Sequence, residues 1–229
     1  MGIKRKFCSM RFRDFAIILM LIAGILASAN GPALAQSSAS QDKTSTSRRA
    51  VDRNMEKVAL RLYKSALKFY FERAYWKAAR ELIILLDYYP AFGEADGVLC
   101  HLGECLYSMG MFKSSHKMFR FLVTKFPQSE YVAQGLHGLQ RIQYQAENYQ
   151  ESLKIHDALA RNYQKSDLMD GINYFGGMAH YHLHDYDNAV ATMEKIGSRS
   201  EFYDYGLYAT GLAHLKKKAS TAHWPPCAS

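Results

Sequence analysis

The sequence predicts an all-α solenoid of helix-turn-helix repeats, and three observations carry that prediction. Tyr75, Phe112, Tyr149 and Tyr186 stand 37 residues apart, each followed after three positions by a small residue (Ala78, Ser115, Ser152, Ala189) and after ten by an aliphatic one (Leu85, Leu122, Leu159, Ile196). Upstream, Tyr70, Tyr107, Tyr144 and Tyr181 keep the same interval. Within each unit apolar residues fall at i, i+3, i+4 and i+7, the period of an amphipathic helix, divided by a short turn such as residues 108–111. A lone hairpin cannot bury both of its apolar faces, so units of this kind have to stack.

Composition sets the outer bounds. The chain has 229 residues, 48% hydrophobic, 13% aromatic and 22% charged, which suits one ordinary domain or one small solenoid and excludes wholesale disorder and a polytopic membrane protein. Four cysteines are too few for a disulfide scaffold. A formal charge of +8 invites an anionic partner, but its location decides its meaning.

Residues 1–35 read as a secretory signal peptide. Lys4, Arg5, Lys6, Arg11 and Arg13 precede an apolar run from Phe15 to Ala27, then Asn30-Gly31-Pro32 and the small-x-small site Ala33-Leu34-Ala35. Thirteen residues of helix span about 20 Å against a hydrocarbon core of roughly 30 Å, which favours cleavage after Ala35 over an anchor. Ala27-Ser28-Ala29 offers a second cut. No Cys stands just after the run and no Arg-Arg pair precedes it, which leaves neither a lipoprotein site nor twin-arginine export. The mature chain is expected in the periplasm of a bacterium, without a stable membrane span. Residues 36–50 are rich in Ser, Thr and Gln and lack apolar periodicity, so they read as a flexible leader.

Four units follow in residues 51–217, at about 59–91, 96–128, 133–165 and 170–202, with one more helix at 203–217. In the first, Ala66 and Ala78 allow helix backbones to approach while Phe69 and Leu82 fill the space around them. The second does the same with Gly103, Ser115, Leu106 and Phe119. The third is degenerate, with Gln140 at the small position and His156 at the aromatic one. The fourth carries Gly177 and Ala189, and Pro90 and Pro127 close the first two units. The fifth helix runs from Tyr205 to Leu215, and residues 219–229, ASTAHWPPCAS, have no helical pattern. Two readings stay open: a single closing helix that caps the solenoid, or a reading frame lost after Lys218 with more repeats downstream.

The second unit, Leu99-x-x-Leu102-Gly103-x-x-Leu106-Tyr107 and Gly110-x-Phe112-x-x-Ser115-x-x-x-Phe119-x-x-Leu122 with Pro127, resembles the tetratricopeptide repeat family in order and spacing. So does Tyr174-x-x-Gly177-x-x-x-Tyr181 to Tyr186-x-x-Ala189 in the fourth. The resemblance implies a right-handed superhelix. Against the family's usual period of about 34, three extra residues per unit look like a variant found in exported bacterial members. Those include the lipoprotein subunit of the outer-membrane barrel assembly machine, from which this unlipidated chain departs, and the periplasmic coordinator of the Tol-Pal system.

By the family's geometry the first helices line a concave face that carries Tyr63, Cys100, His137 and Tyr174, and two turns on Tyr70, Tyr107, Tyr144 and Tyr181. Leu67, Glu104, Arg141 and Met178 lie between these rungs. Tyrosine offers apolar area and a hydroxyl for a peptide backbone at low entropic cost, so a protein or peptide segment is the expected partner. Packing of neighbouring hairpins is the competing use of the same rings. The Lys and Asn with which some relatives clamp a terminal carboxylate are missing.

Other chemistry is sparse. His180 and His184, four apart near Asp185 and Asp187, have metal-chelating spacing on a helix, but no Glu follows His180 and packing is the favoured role. Cys100 and Cys105 are too far apart on one helix for a disulfide. Nothing resembles a phosphate loop, a nucleophile elbow or a Cys/His catalytic arrangement, so no cofactor, small-molecule substrate or catalytic activity is expected. Residues 1–35 carry +4, 36–50 carry +2 and 216–218 carry +3, while 51–215 hold 18 basic and 19 acidic residues. A near-neutral solenoid outside the cytoplasm gives nucleic acid no footing.

Overall fold

The computed structural model describes the backbone of residues 38–221 and the side chains of residues 53–219. The expected signal peptide and cleavage site, and residues 222–229 of the expected tail, lie outside the described residues. Contacts set residues 48–229 apart from residues 1–47, and every repeat lies in the former.

Nine helices are described: α1 (Ser38–Phe71), α2 (Tyr75–Tyr88), α3 (Ala95–Ser108), α4 (Phe112–Lys125), α5 (Val132–Gln145), α6 (Tyr149–Asn162), α7 (Met169–His182), α8 (Tyr186–Met193) and α9 (Tyr203–Thr221). They form an all-α helical-repeat solenoid, with no strand among the described residues. α1 starts at Ser38, inside the segment whose composition suggests an irregular leader. No Gly or Pro lies between Gln36 and Phe71, so nothing stops a helix nucleated by the first hairpin from propagating outward. α9 likewise runs to Thr221, past the expected end at 217.

Consecutive helices touch, and the first helices of successive units touch again in series: α3 with α5, α5 with α7, α7 with α9. No such contact joins α2 with α4, α4 with α6 or α6 with α8. Closer spacing of the first helices puts them on the inner, concave layer, and the second helices fan outward.

The small positions act as the repeat predicts. Phe119 is fully buried between α3 and α5, and a Cβ on Gly103 would meet its ring at 2.5 Å, with one on Gly138 closer still. Ser115 Oγ donates to Gly103 O at 2.8 Å, and Ser152 Oγ to Gln140 O at 3.2 Å, tying second helix to first in units two and three. The degenerate third unit compensates for itself. Gln140 is fully buried, its Nε2 donates to Ile172 O at 3.0 Å, and its Oε1 accepts from His137 Nδ1 at 3.1 Å. His156, smaller than Phe119, leaves room for that amide and donates from Nδ1 to Asp157 Oδ1 at 3.1 Å. A buried polar side chain with its partners supplied loses little against an apolar one.

Every hairpin turns the same way. Arg73, Gly110, Glu147 and His184 sit 37 apart with φ of 58°, 74°, 60° and 62°, the left-handed region, and the next residue donates its N–H to Phe69, Leu106, Gln143 and His180 respectively. That is the Schellman ending, normally a glycine position, and only the second unit supplies the glycine. These turns correct one sequence expectation. His180 and His184 do not share a helical face, because α7 ends at His182 and His184 is the left-handed turn residue.

Candidate protein-interaction face

The concave layer positions the predicted rungs, and each is engaged by its own hairpin. Tyr70 packs edge-on against Tyr75 at 6.1 Å, Tyr107 against Phe112 at 5.3 Å, Tyr144 against Tyr149 at 5.6 Å and Tyr181 against Tyr186 at 5.7 Å. All four remain half-buried, so each ring keeps an edge toward solvent. Burial pushes the hydroxyls of Tyr70 and Tyr144 up to about 12, keeping both neutral hydrogen-bonding groups at any physiological pH.

The neighbouring repeat completes each rung differently. Tyr70 meets His101 edge-on at 5.3 Å. Tyr144 meets Phe175 at 5.4 Å and has its hydroxyl 3.2 Å from His182 Nε2. At the matching place beside Tyr107 stands Gly138, and there the Arg141 guanidinium covers the ring at 4.4 Å. Arg141 Nη2 also donates to Glu104 Oε1 at 2.5 Å, across one repeat, with side-chain exposures of 17% and 10%. Glu104 and Arg141 therefore neutralise each other at the centre of the face.

The remaining predicted residues fall at several depths. Tyr63 is buried, its hydroxyl 3.2 Å from His101 Nδ1 and its ring against Phe92, so it belongs to the core of the first hairpin. His137 is buried beside Gln140 and Phe175, and desolvation followed by the charge of Arg141 lowers it to about 3, so it is neutral. Tyr174 stacks on Phe202 at 5.4 Å, and Met178 packs with Met193, Ile196 and Ala209.

A groove of about 500 Å³ collects Tyr70, His137 and Arg141 from the predicted set. It adds Glu104, Asp170 from the first turn of α7 and, from the segments between hairpins, Asp167, Glu201 and Phe202. Asp170 Oδ1 accepts from Gly197 N at 3.0 Å, while Asp167 and Glu201 are exposed. With Glu104 cancelled by Arg141, the groove is acidic. Helix periodicity misses Asp167 and Glu201 because they belong to the inter-unit segments; their recurrence beside Ser166 and Ser200 was the available signal, while Asp170 stands in the first turn of α7. A larger groove of about 980 Å³ runs between α4 and α5, lined by Met111, Phe112, Lys113, Lys117, Arg120 and Ile142 among others, outside the predicted set.

Potential metal and redox groups are occupied locally. His180 Nδ1 donates to Asp185 Oδ2 at 3.1 Å, His184 Nδ1 lies 2.9 Å from the Tyr186 hydroxyl, and Asp185 caps α8 through Asn188. No cluster of three metal-ligating side chains occurs among the described residues. Cys100 and Cys105 are free and buried, and burial pushes both thiols up.

Comparison with known proteins rests on shape. No protein-family model and no curated protein matches the sequence. Solved structures do match: MamA from Desulfovibrio magneticus RS-1 superposes with a TM-score of 0.58 at 12% identity, over 70% of this chain and 85% of that one. A tetratricopeptide repeat protein from Parabacteroides merdae gives 0.57 at 14% identity, over 72% of this chain and 63% of that one. The chain has a tetratricopeptide-repeat fold. MamA of strain AMB-1 agrees, with a TM-score of 0.54 at 14% identity over 69% of this chain and 88% of that one. The tetratricopeptide-repeat fold is a scaffold of stacked hairpins with an extended inner face, and the helices that line it here are those bearing the tyrosine rungs.

Proposed function

We propose that the chain is a non-catalytic protein-interaction scaffold that docks a peptide or protein segment on its concave face, exported to the periplasm and serving bacterial envelope assembly or maintenance. The observation that carries this reading is the inner row of Tyr70, Tyr107, Tyr144 and Tyr181, each with a solvent edge, beside an acidic groove formed with Asp167, Asp170 and Glu201. Stacked hairpins hold the rings in place before a partner arrives, which lowers the entropy lost on docking. The acidic rim favours a segment carrying Lys or Arg next to apolar side chains and repels a free terminal carboxylate. The N-terminal basic segment, apolar run and Ala33-Leu34-Ala35 support export with cleavage after Ala35.

The experiment is capture of partners from the periplasmic extract of the native host by wild type and by Asp167→Lys/Glu201→Lys. Both side chains are exposed, so the fold is expected to survive and capture to fall at least tenfold. Unchanged capture overturns the reading. Intact mass of the protein expressed in a Gram-negative host tests export, with loss of residues 1–35 as the expected result.

A second reading, in which these repeats are a spacer or the front of a longer array, draws on α9. Tyr205, Leu207, Tyr208 and Leu215 are 64%, 61%, 70% and 67% exposed on the helix against which the second helix of a fifth unit would pack. Translation of the gene beyond codon 218 in the other frames tests it: in-register Tyr, Ala and aliphatic residues support it, and their absence refutes it.

A further inference from the structure

The near-zero charge of the solenoid conceals a division. Residues 51–125 hold 12 basic and 8 acidic side chains, whereas residues 126–215 hold 6 and 11, so the first two units are net positive and the last two net negative. The positive charge sits on two helices, four basic and no acidic side chains on α4 and, on residues 51–71 of α1, five basic against two acidic. Ala59, Tyr63 and Ala66 bury one face of α1 in the first hairpin. On the other face Arg53, Lys57, Arg61, Lys64 and Lys68 are all exposed. At about 100° per residue these five fall in a stripe roughly 100° wide, and from residue 53 to residue 71 it runs about 27 Å. Lys68 has a long exposed contact of 3.9 Å with Glu72, while Lys57, Arg61 and Lys64 face no carboxylate among the described residues.

Two apolar side chains lie within the same stripe: Leu60, 41% exposed, and Phe71, 76% exposed. A solenoid end that needs only to stay soluble is served by mixed charges, and neither a one-sign stripe nor an exposed Phe follows from that need. Basic residues flanking apolar ones on a single helical face have the pattern of a helix lying on an anionic lipid surface, where cations meet headgroups and the apolar groups enter the acyl boundary. A rigid polyanion such as duplex DNA would use the charges and leave Leu60 and Phe71 without a partner. On the export proposed above, only residues 28–37 separate α1 from the apolar run that ends at Ala27, so translocation would bring this helix close to a bilayer.

We propose that the outer face of α1 docks on an anionic phospholipid surface, holding the solenoid by its basic end with the concave face free. This is independent of what occupies the concave groove. The test is flotation of the full chain with vesicles of phosphatidylcholine alone and of equimolar phosphatidylcholine and phosphatidylglycerol, at about 50 and about 500 mM NaCl. The variant Lys57→Gln/Arg61→Gln/Lys64→Gln keeps helix propensity and removes three charges from the stripe. At roughly fivefold per charge, its affinity for the anionic vesicles at low salt is expected to drop about 100-fold. The equal-charge control Lys113→Gln/Lys117→Gln/Arg120→Gln on α4 is expected to stay within about threefold of wild type. Residues 1–35 are common to all three proteins, so their ratio isolates the stripe. Wild-type binding that ignores phosphatidylglycerol or salt, an α1 variant that binds like wild type, or a control that loses as much overturns the proposal. Tighter binding to a duplex oligonucleotide than to anionic vesicles at the same salt replaces lipid with nucleic acid and also overturns it.

Discussion

Removing one member of the Glu104–Arg141 pair is expected to damage the solenoid far more than removing both. The two side chains are 10% and 17% exposed and bond at 2.5 Å across one repeat, so neither is hydrated enough to stand alone. Arg141→Met strands a buried carboxylate, a change that costs about 3–5 kcal/mol in comparable sites. It also removes the cation held over Tyr107 at 4.4 Å, for a further loss of about 1 kcal/mol. The double variant Glu104→Leu/Arg141→Met places at this position the residue types that units one and four already carry, Leu67 and Met178. Replacing a buried pair by apolar groups of similar volume is close to neutral, within about 1.5 kcal/mol. For a domain of this size the Tm moves about 2–4 °C per kcal/mol, so the single variant should melt about 8–24 °C below wild type and the double within a few degrees. Thermal unfolding followed by far-UV CD, completed as a double-mutant cycle, is the assay, with a coupling of at least about 2 kcal/mol expected. Additive shifts, or an Arg141→Met variant that melts with wild type, would refute the claim that the centre of the face is a self-neutralised pair.

Other consequences are open to simple measurement. Glu147 holds φ of 60°, so Glu147→Gly should raise stability by about 1 kcal/mol, read as a higher urea midpoint, while Gly110→Ala, at φ of 74°, lowers it by a similar amount. Gly138→Ala drives a methyl into the buried Phe119 ring and should cost about 1–3 kcal/mol, with recovery in Gly138→Ala/Phe119→Leu; a fully stable single variant contradicts the close approach. His137 is held neutral, its folded pKa depressed to about 3 against an ordinary value near 6.5. The unfolded chain therefore takes up the proton first, and stability should fall as pH drops from about 6.5 toward about 3. The urea midpoint of His137→Gln should depend less on pH across that window, and an identical slope refutes the assignment.

Much of the architecture was legible because stacking forces the same residue types to the same register. The Tyr70 and Tyr75 series and the small positions announce themselves at 37-residue intervals, and Gly110 marks the turn of the second unit. What stayed hidden depends on contacts between units. Glu104 and Arg141 occupy equivalent positions one repeat apart, and only the stacking of α3 on α5 makes them partners. Gln140 and His156 look like decay of the pattern until Ile172 O and Asp157 supply their hydrogen bonds. The left-handed turns at Arg73, Glu147 and His184 lack the glycine that marks the second, so nothing in sequence showed that α7 stops before His184. Two carboxylates of the acidic rim, Asp167 and Glu201, come from inter-unit segments, where helix period carries no information. The charge division was invisible in a sum near zero.

The central claim is that a partner lies along the inner tyrosine row, and site-directed photocrosslinking in the native host tests it most directly. A benzophenone amino acid would replace Tyr70 on the concave groove and, in a second strain, Lys154 on the outward-facing α6, which is exposed and bonded to Glu151. The account predicts a discrete protein adduct from position 70 and none from position 154. An adduct from position 154 with none from position 70 would contradict it.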